Sequence, residues 1–248
     1  MKKYAIQLYS VRNALEEDFD ATLKQLAEMG YDGVEFCGSY GGYEPKDLAK
    51  FLEHLGLDVV SAHLSYDTFF NNLDYHLEYL KACGCDIVVC PWADTTTDEK
   101  VEAVANGLAQ IAEICLMKGF QFAFHNHAGE LEKKTENGNA FDKFMEVGDP
   151  LLLAELDVGW IGFVGENPED YIRKYAGRVI ALHLRQIVKT DEKSVDVLFD
   201  KGPVDLKSVI TTGDKMGVSH YIVEHNTSAE NEMKDAEIII NQLKALKL

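Results

Sequence analysis

The sequence predicts a closed (β/α)8 barrel built as one domain over residues 1–248. Three observations carry that expectation. Eight short apolar runs of strand type alternate with eight longer amphipathic runs, the pattern of parallel strands joined by crossover helices. No low-complexity linker or composition break interrupts the 248 residues, a length that suits one such barrel. The last four runs also share an ending in residue types that bind metals. Residues 120–124 run into His125-Asn126-His127, 151–156 (with Glu155) into Asp157, 179–182 into His183, and 221–223 into Glu224. A doubly wound open sheet is the rival arrangement, but no G-x-G-x-x-G follows the first strand, as a dinucleotide site would require.

Taken in order, residues 4–10 read as strand one. Residues 19–29 read as a helix, with Phe19, Leu23, Leu26 and Ala27 at helical spacing. Gly30 ends that helix, and 33–37 is strand two. Pro45 suits the first turn of a helix over 45–54, Gly56 closes it, and 57–64 is strand three. A helix over 72–83 stops at Gly84 before strand four at 86–90. Thr97 is placed to cap the longest helix, 98–118, with Lys100 where a capping box would have a glutamate. Helices over 140–147, 168–175, 205–215 and 229–246 separate and follow the last four strands. The connections 38–44 and 186–204 exceed ordinary length and would lie over the C-terminal mouth, either as substrate lids or as plain surface excursions.

Composition narrows the function. A 46% hydrophobic content supplies a large core, while the net charge of −18 opposes a nucleic-acid backbone. The five cysteines are odd in number and form no C-x-x-C pair, so no disulfide framework is expected. The N-terminal segment lacks a secretory h-region, and no apolar run approaches the ~18 residues needed to span a bilayer. The expectation is a cytoplasmic protein with a small-molecule substrate and neither nucleic acid nor membrane as partner; homo-oligomer formation stays open.

Strand parity organises the candidate residues. Positions i and i+2 share a face, so Glu155 lies with Asp157 and His125 with His127. Barrel closure would gather Asp157, His183 and Glu224 at one end. A mixed oxygen and imidazole set suits one Mn²⁺, Co²⁺, Mg²⁺ or Zn²⁺ ion. Such an ion stabilises an enediolate formed by proton removal next to a carbonyl, and a carboxylate or imidazole moves the proton. Each of these residues taken singly also has a bland reading as a surface group or a satisfied core partner. Glu155 alone would serve as a buried partner for a barrel lysine or arginine.

Five segments carry a resemblance. They are Ile6-Gln7-Leu8-Tyr9-Ser10-Val11-Arg12, Gly30-Tyr31-Asp32-Gly33-Val34-Glu35, His125-Asn126-His127-Ala128-Gly129-Glu130, Leu156-Asp157-Val158-Gly159-Trp160 and Gly177-Arg178-Val179-Ile180-Ala181-Leu182-His183-Leu184. Together they resemble the sugar phosphate isomerase/epimerase family, with its xylose-isomerase-like TIM barrel, over essentially the whole chain. The resemblance implies one divalent ion, with Asp157, His183 and Glu224 in three ligand positions and His125 in a fourth. Epimerases carry a glutamate at that fourth position, so the two-glutamate proton shuttle is in doubt here. Inosose dehydratases also have a histidine-rich strand-five motif. The expected activity is isomerisation or epimerisation of a sugar, keto-sugar or sugar phosphate, with elimination or hydration of a keto-polyol as the alternative. Glu224 is the expected base, with His127, Glu130 and Glu155 as further acid–base candidates.

The family pattern His-x-Lys-Asp is replaced by His183-Leu184-Arg185-Gln186. Arg185 keeps a positive charge, for an oxyanion or phosphate or for a structural ion pair. Gln7 and His63 could bind hydroxyls, Trp160 could stack on a sugar face, and Trp92 lies after strand four. A non-catalytic sugar-binding barrel and an apurinic endonuclease share the fold. The endonuclease reading needs more metal ligands and is opposed by the acidity.

Overall fold

Eight parallel strands close on themselves in chain order. They are β1 (Ala5–Gln7), β2 (Gly33–Phe36), β3 (Asp58–His63), β4 (Ile87–Cys90), β5 (Gln121–His125), β6 (Leu152–Asp157), β7 (Val179–Leu184) and β8 (His220–Val223), with β8 paired back to β1. The structure is a computed structural model that describes residues 2–136, 138–191, 193–228 and 231–248. The outer layer comprises α1 (Phe19–Met29), α2 (Pro45–Leu55), α3 (Leu73–Ala82), α4 (Asp98–Met117), α5 (Ala140–Val147), α6 (Pro168–Lys174), α7 (Leu206–Met216) and α8 (Glu232–Ala245). This is the (β/α)8 TIM barrel that the sequence predicts.

Local chemistry sets the boundaries. Thr97 caps α4 by accepting a hydrogen bond from Lys100 N at 3.3 Å. Asp205 and Asn231, just outside α7 and α8, accept from Ser208 N and Lys234 N, which moves both helix starts later than expected. The expected helix over 229–246 begins on Ala229 and Glu230, which lie outside the described residues. Gly30 and Gly56 end α1 and α2 with φ of 89° and 70°, a conformation that costs glycine nothing. Strand one is shorter than 4–10. The Gln7 side chain accepts from Tyr9 N at 2.9 Å, and the chain turns there into a 3₁₀ helix, Leu8–Val11.

The strand pleat divides the barrel interior into levels. Ala5, Ala181 and Ile222 form one apolar cluster low in the barrel, and Ile87, Val89 and Ala123 form another. Two residues further along the same strands, on the same face, stand Gln7, His183, Glu224 and His125. The barrel is thus plugged below with small apolar side chains and lined above with ionisable ones. Outward residues of the same strands pack on the helices. Phe124 is fully buried, with the rings of Phe144 and Phe141 at 5.1 and 6.3 Å. All five cysteines are free, and among the described residues no helix is long and apolar enough to cross a membrane.

Phe124→Ala should destabilise the barrel by about 3–5 kcal/mol in urea unfolding, the range for truncating a fully buried phenylalanine. A loss below about 1 kcal/mol would contradict the packing between β5 and α5.

Candidate metal centre

The mouth ends of β5 to β8 deliver the upper of two tiers of side chains, and β1 to β3 add to the lower one. In the upper tier His183 Nδ1 lies 2.6 Å from Glu224 Oε2. His125 Nε2 stands 3.9 Å from Asp157 Oδ2 and 4.0 Å from Glu224 Oε2. One ligand atom from each of these four residues lies within 4.8 Å of the others, so the group could hold a metal ion. Two imidazoles with two carboxylates suit Zn²⁺, Co²⁺ or Mn²⁺.

The lower tier uses the opposite nitrogens of the same rings. Glu155 Oε2 lies 2.6 Å from His63 Nε2, 3.1 Å from His125 Nδ1 and 3.1 Å from His183 Nε2. Glu35 Oε2 lies 2.8 Å from His183 Nε2 and accepts from Gln7 Nε2 at 2.6 Å, while Glu35 Oε1 accepts from Ser61 Oγ at 2.6 Å. An imidazole that offers one nitrogen to a metal and the other to a carboxylate has its orientation and tautomer fixed. Glu155 Oε1 has no protein partner although the residue is fully buried. A buried carboxylate oxygen in that state is consistent with a cation site.

Arg185 closes the cluster from the mouth. Its guanidinium lies 3.4 Å from Asp157 Oδ2 and 3.2 Å from Glu224 Oε1, and it grips both oxygens of Asp196. Asp196 comes from the long connection 186–204, which folds into a hairpin of Ile187–Lys189 and Ser194–Asp196. Gln186 pins the far end of that connection through the N and O atoms of Val204. Arg185 is therefore tied into structural ion pairs, and it also stacks 5.2 Å from the centre of the Trp160 ring. A Cβ on Gly159 would lie 2.9 Å from Arg185 Cβ and 3.0 Å from its carbonyl oxygen, so glycine lets the short helix Val158–Phe163 approach this closely.

Burial and neighbours set the charges. Burial pushes Asp157 up to about 7, although Arg185 opposes the shift. Burial also lowers His125 to about 3 and His127 to about 4, so both rings are neutral at ordinary pH. For His183, burial is overcome by Glu155 and Glu35, which hold its pKa well above the usual value. Burial is likewise outweighed at Glu224, where Arg185 and His183 keep the carboxylate ionised.

The remaining candidates are placed as follows. The His127 ring lies between those of His125 and Trp160, at 4.9 and 5.8 Å, and neither His127 Nδ1 nor Trp160 Nε1 has a protein partner. Gln7 has its side-chain amide on Glu35 and its carbonyl on Tyr9 N, and His63 belongs to the lower tier. Glu130 accepts from His127 N at 3.0 Å at the start of the short helix Ala128–Glu132 and does not line the cavity. That cavity, about 600 Å³, opens onto Gln7, His63, His125, His127 and Glu224, with the exposed Trp92 at its rim. Sequence reasoning missed Glu35, Ser61 and Asp196. The first two could have been found by parity, since Glu35 pairs in register with Gln7 on one side and Ser61 on the other.

Residues 23–247 match the family model described as xylose isomerase-like TIM barrel. The chain is 28% identical over 199 residues to an inosose dehydratase from Clostridium botulinum, covering 69% of this chain and 64% of that protein. The match thus spans less than two thirds of that relative's length. Among solved structures, a sugar phosphate isomerase/epimerase from Parabacteroides distasonis superposes with a TM-score of 0.82 at 21% identity, covering 98% of each chain. The IolI protein, whose crystal structure carries a bound zinc atom, superposes with a TM-score of 0.79 at 14% identity, covering 99% of this chain and 98% of that one.

The proton held by Asp157 gives a prediction. Its carboxyl, raised to about 7, must lose that proton before it can bind a cation. Binding must also displace the proton that Glu155 and Glu35 hold on His183, so Zn²⁺ affinity measured by chelator competition already falls with falling pH; if Asp157 is a ligand, the fall should steepen by about a further tenfold per pH unit below about pH 7. A slope that does not steepen between pH 7 and pH 5.5 would remove Asp157 from the ligand set.

Proposed function

Because the chain belongs to the xylose isomerase-like TIM barrel family, we propose that it is a metal-dependent enzyme that dehydrates a small keto-polyol of the inosose type. The observation that carries this reading is the convergence of His125, Asp157, His183 and Glu224 beside the mouth cavity, which His125 and Glu224 line. A divalent ion held by these four would stabilise the negative charge of an enediolate oxygen.

The chain's own groups supply the proton chemistry. Glu224 is ionised and reaches the cavity, so it takes the proton from the carbon next to the carbonyl. The electron pair left behind forms a carbon–carbon double bond as the hydroxyl on the neighbouring carbon departs. The proton collected by Glu224 leaves with that hydroxyl as water. His127, neutral and with Nδ1 unpartnered, orients a substrate hydroxyl. Asn226 donates to Glu224 Oε1 at 2.5 Å and holds the carboxylate in place.

The cavity wall favours an uncharged polyol over a sugar phosphate. Among the described residues no lysine or arginine lines it, and Arg185 is committed to Asp157, Glu224 and Asp196. A phosphate there would find no guanidinium or ammonium side chain to pair with and would lie beside the carboxylate of Glu224. A second reading, isomerisation or epimerisation, shares the first step. It is favoured by the placement of both His127 and Glu224 on the cavity, since a proton lost to one could return from the other.

Incubation with a cyclic keto-polyol in D₂O separates the readings. Dehydration yields an unsaturated ketone with new ultraviolet absorbance. Isomerase chemistry instead washes deuterium in next to the carbonyl without loss of water, which would overturn the dehydratase reading in favour of the second, and the absence of both changes would sink the two together. Glu224→Gln should lower kcat by about 10²–10⁴, the usual contribution of a positioned base. A near-normal rate in that variant would place the base elsewhere.

A further inference from the structure

Two carboxylates in the lower tier, Glu35 and Glu155, are fully buried, and the ion pairs that reach them come from imidazoles alone. Asp157 and Glu224 above them already share the guanidinium of Arg185. Among the described residues the lower pair has only imidazoles as ion-pair partners, each of which can offer a nitrogen lone pair to a cation in place of a proton. Three imidazole nitrogens converge on one oxygen of Glu155 there, while its other oxygen has no protein partner.

We propose that the barrel interior contains a second cation seat below the mouth quartet, formed by His63 Nε2, His125 Nδ1, His183 Nε2 and Glu155 Oε2, and that it takes a borderline divalent ion such as Zn²⁺. One ligand atom from each of these four residues lies within 4.8 Å of the others. The His63 and His183 rings are stacked with centroids 5.3 Å apart, and the His125 ring meets both edge-on at 5.1 and 4.6 Å. Three imidazoles and one carboxylate form a tetrahedral donor set of the kind zinc uses. The seat is reached from the mouth, because His63 and His125 line the cavity.

The deep seat also leaves the upper hydrogen bonds intact. With Nε2 on the deep ion, His183 keeps Nδ1–H for Glu224 at 2.6 Å, whereas an ion in the mouth seat needs that nitrogen as a lone pair. His125 faces the same choice between Nδ1 below and Nε2 above. A neutral imidazole has one lone pair, so an ion in one seat turns both shared rings away from the other. The chain then holds one ion at a time: the deep seat is the one it fills without substrate, and the mouth quartet takes the ion only once substrate oxygens are there to join its shell.

X-ray absorption on the unaltered protein loaded with one equivalent of zinc tests this directly. Three imidazoles in the first shell are expected; two imidazoles with two carboxylate oxygens would overturn the deep seat. Variants give a second test, with zinc affinity read by chelator competition in the absence of substrate. His63→Gln and Glu155→Gln should each weaken zinc by at least about tenfold, while Asp157→Asn leaves it unchanged. Asparagine at 157 keeps an oxygen to accept from Trp160 N and cap the helix there. The reverse pattern, or equal weakening by all three, would overturn the proposal. Zinc content is read without turnover, so this test can fail while the dehydratase reading stands, and the reverse.

Discussion

The structure depends on one electrostatic constraint, the enclosure of ionisable side chains inside a closed barrel. Glu35, Glu155, Asp157 and Glu224 are buried together, with the Arg185 guanidinium paired to Asp157 and Glu224 and with His63, His125 and His183 between the carboxylates. Moving carboxylates out of water is costly unless they are paired or bind a metal. The barrel meets part of that cost through hydrogen bonds from Gln7, Ser61 and Asn226 and through the guanidinium. The imidazoles carry the rest at Glu155 Oε2, and the partnerless Oε1 of Glu155 marks where the cluster is least satisfied.

Strand parity is what places that charge. Along β1, β5 and β7 the inward positions step from Ala5, Ala123 and Ala181 to Gln7, His125 and His183, and β8 steps from Ile222 to Glu224 just beyond it. Small apolar groups fill the lower barrel and leave the polar ring no room to sink. The hairpin after β7 then contributes Asp196, which fixes Arg185 over the ring. A connection that might have been only a lid or a surface excursion instead sets the electrostatics of the mouth.

Much of this was legible in the sequence. Alternating runs, glycine stops and the endings at His125, Asp157, His183 and Glu224 pointed to the barrel and to all four members of the upper quartet, His125 among them through the resemblance. The capping residues Thr97, Asp205 and Asn231 show how single side chains decide where helices start. Glu35 was not recognised, because a glutamate within Gly33–Phe36 reads as an ordinary strand residue until the barrel closes. Its contact with His183 spans 148 positions and crosses the interior from β2 to β7. Asp196 was hidden for a different reason, since a hairpin within a long connection leaves no periodic signal. Glu155 was read as sharing a face with Asp157, but not as the acceptor of three imidazoles.

The central claim is that the buried cluster needs a divalent cation, and thermal unfolding of the protein with and without zinc tests it most directly. At zinc about 100-fold above its Kd, binding to the folded state alone adds about 2.7 kcal/mol, which for a chain of this size raises Tm by roughly 5–10 °C. Removal of the ion by a chelator should return Tm to the lower value. A Tm that zinc leaves unmoved, or lowers, would contradict the account.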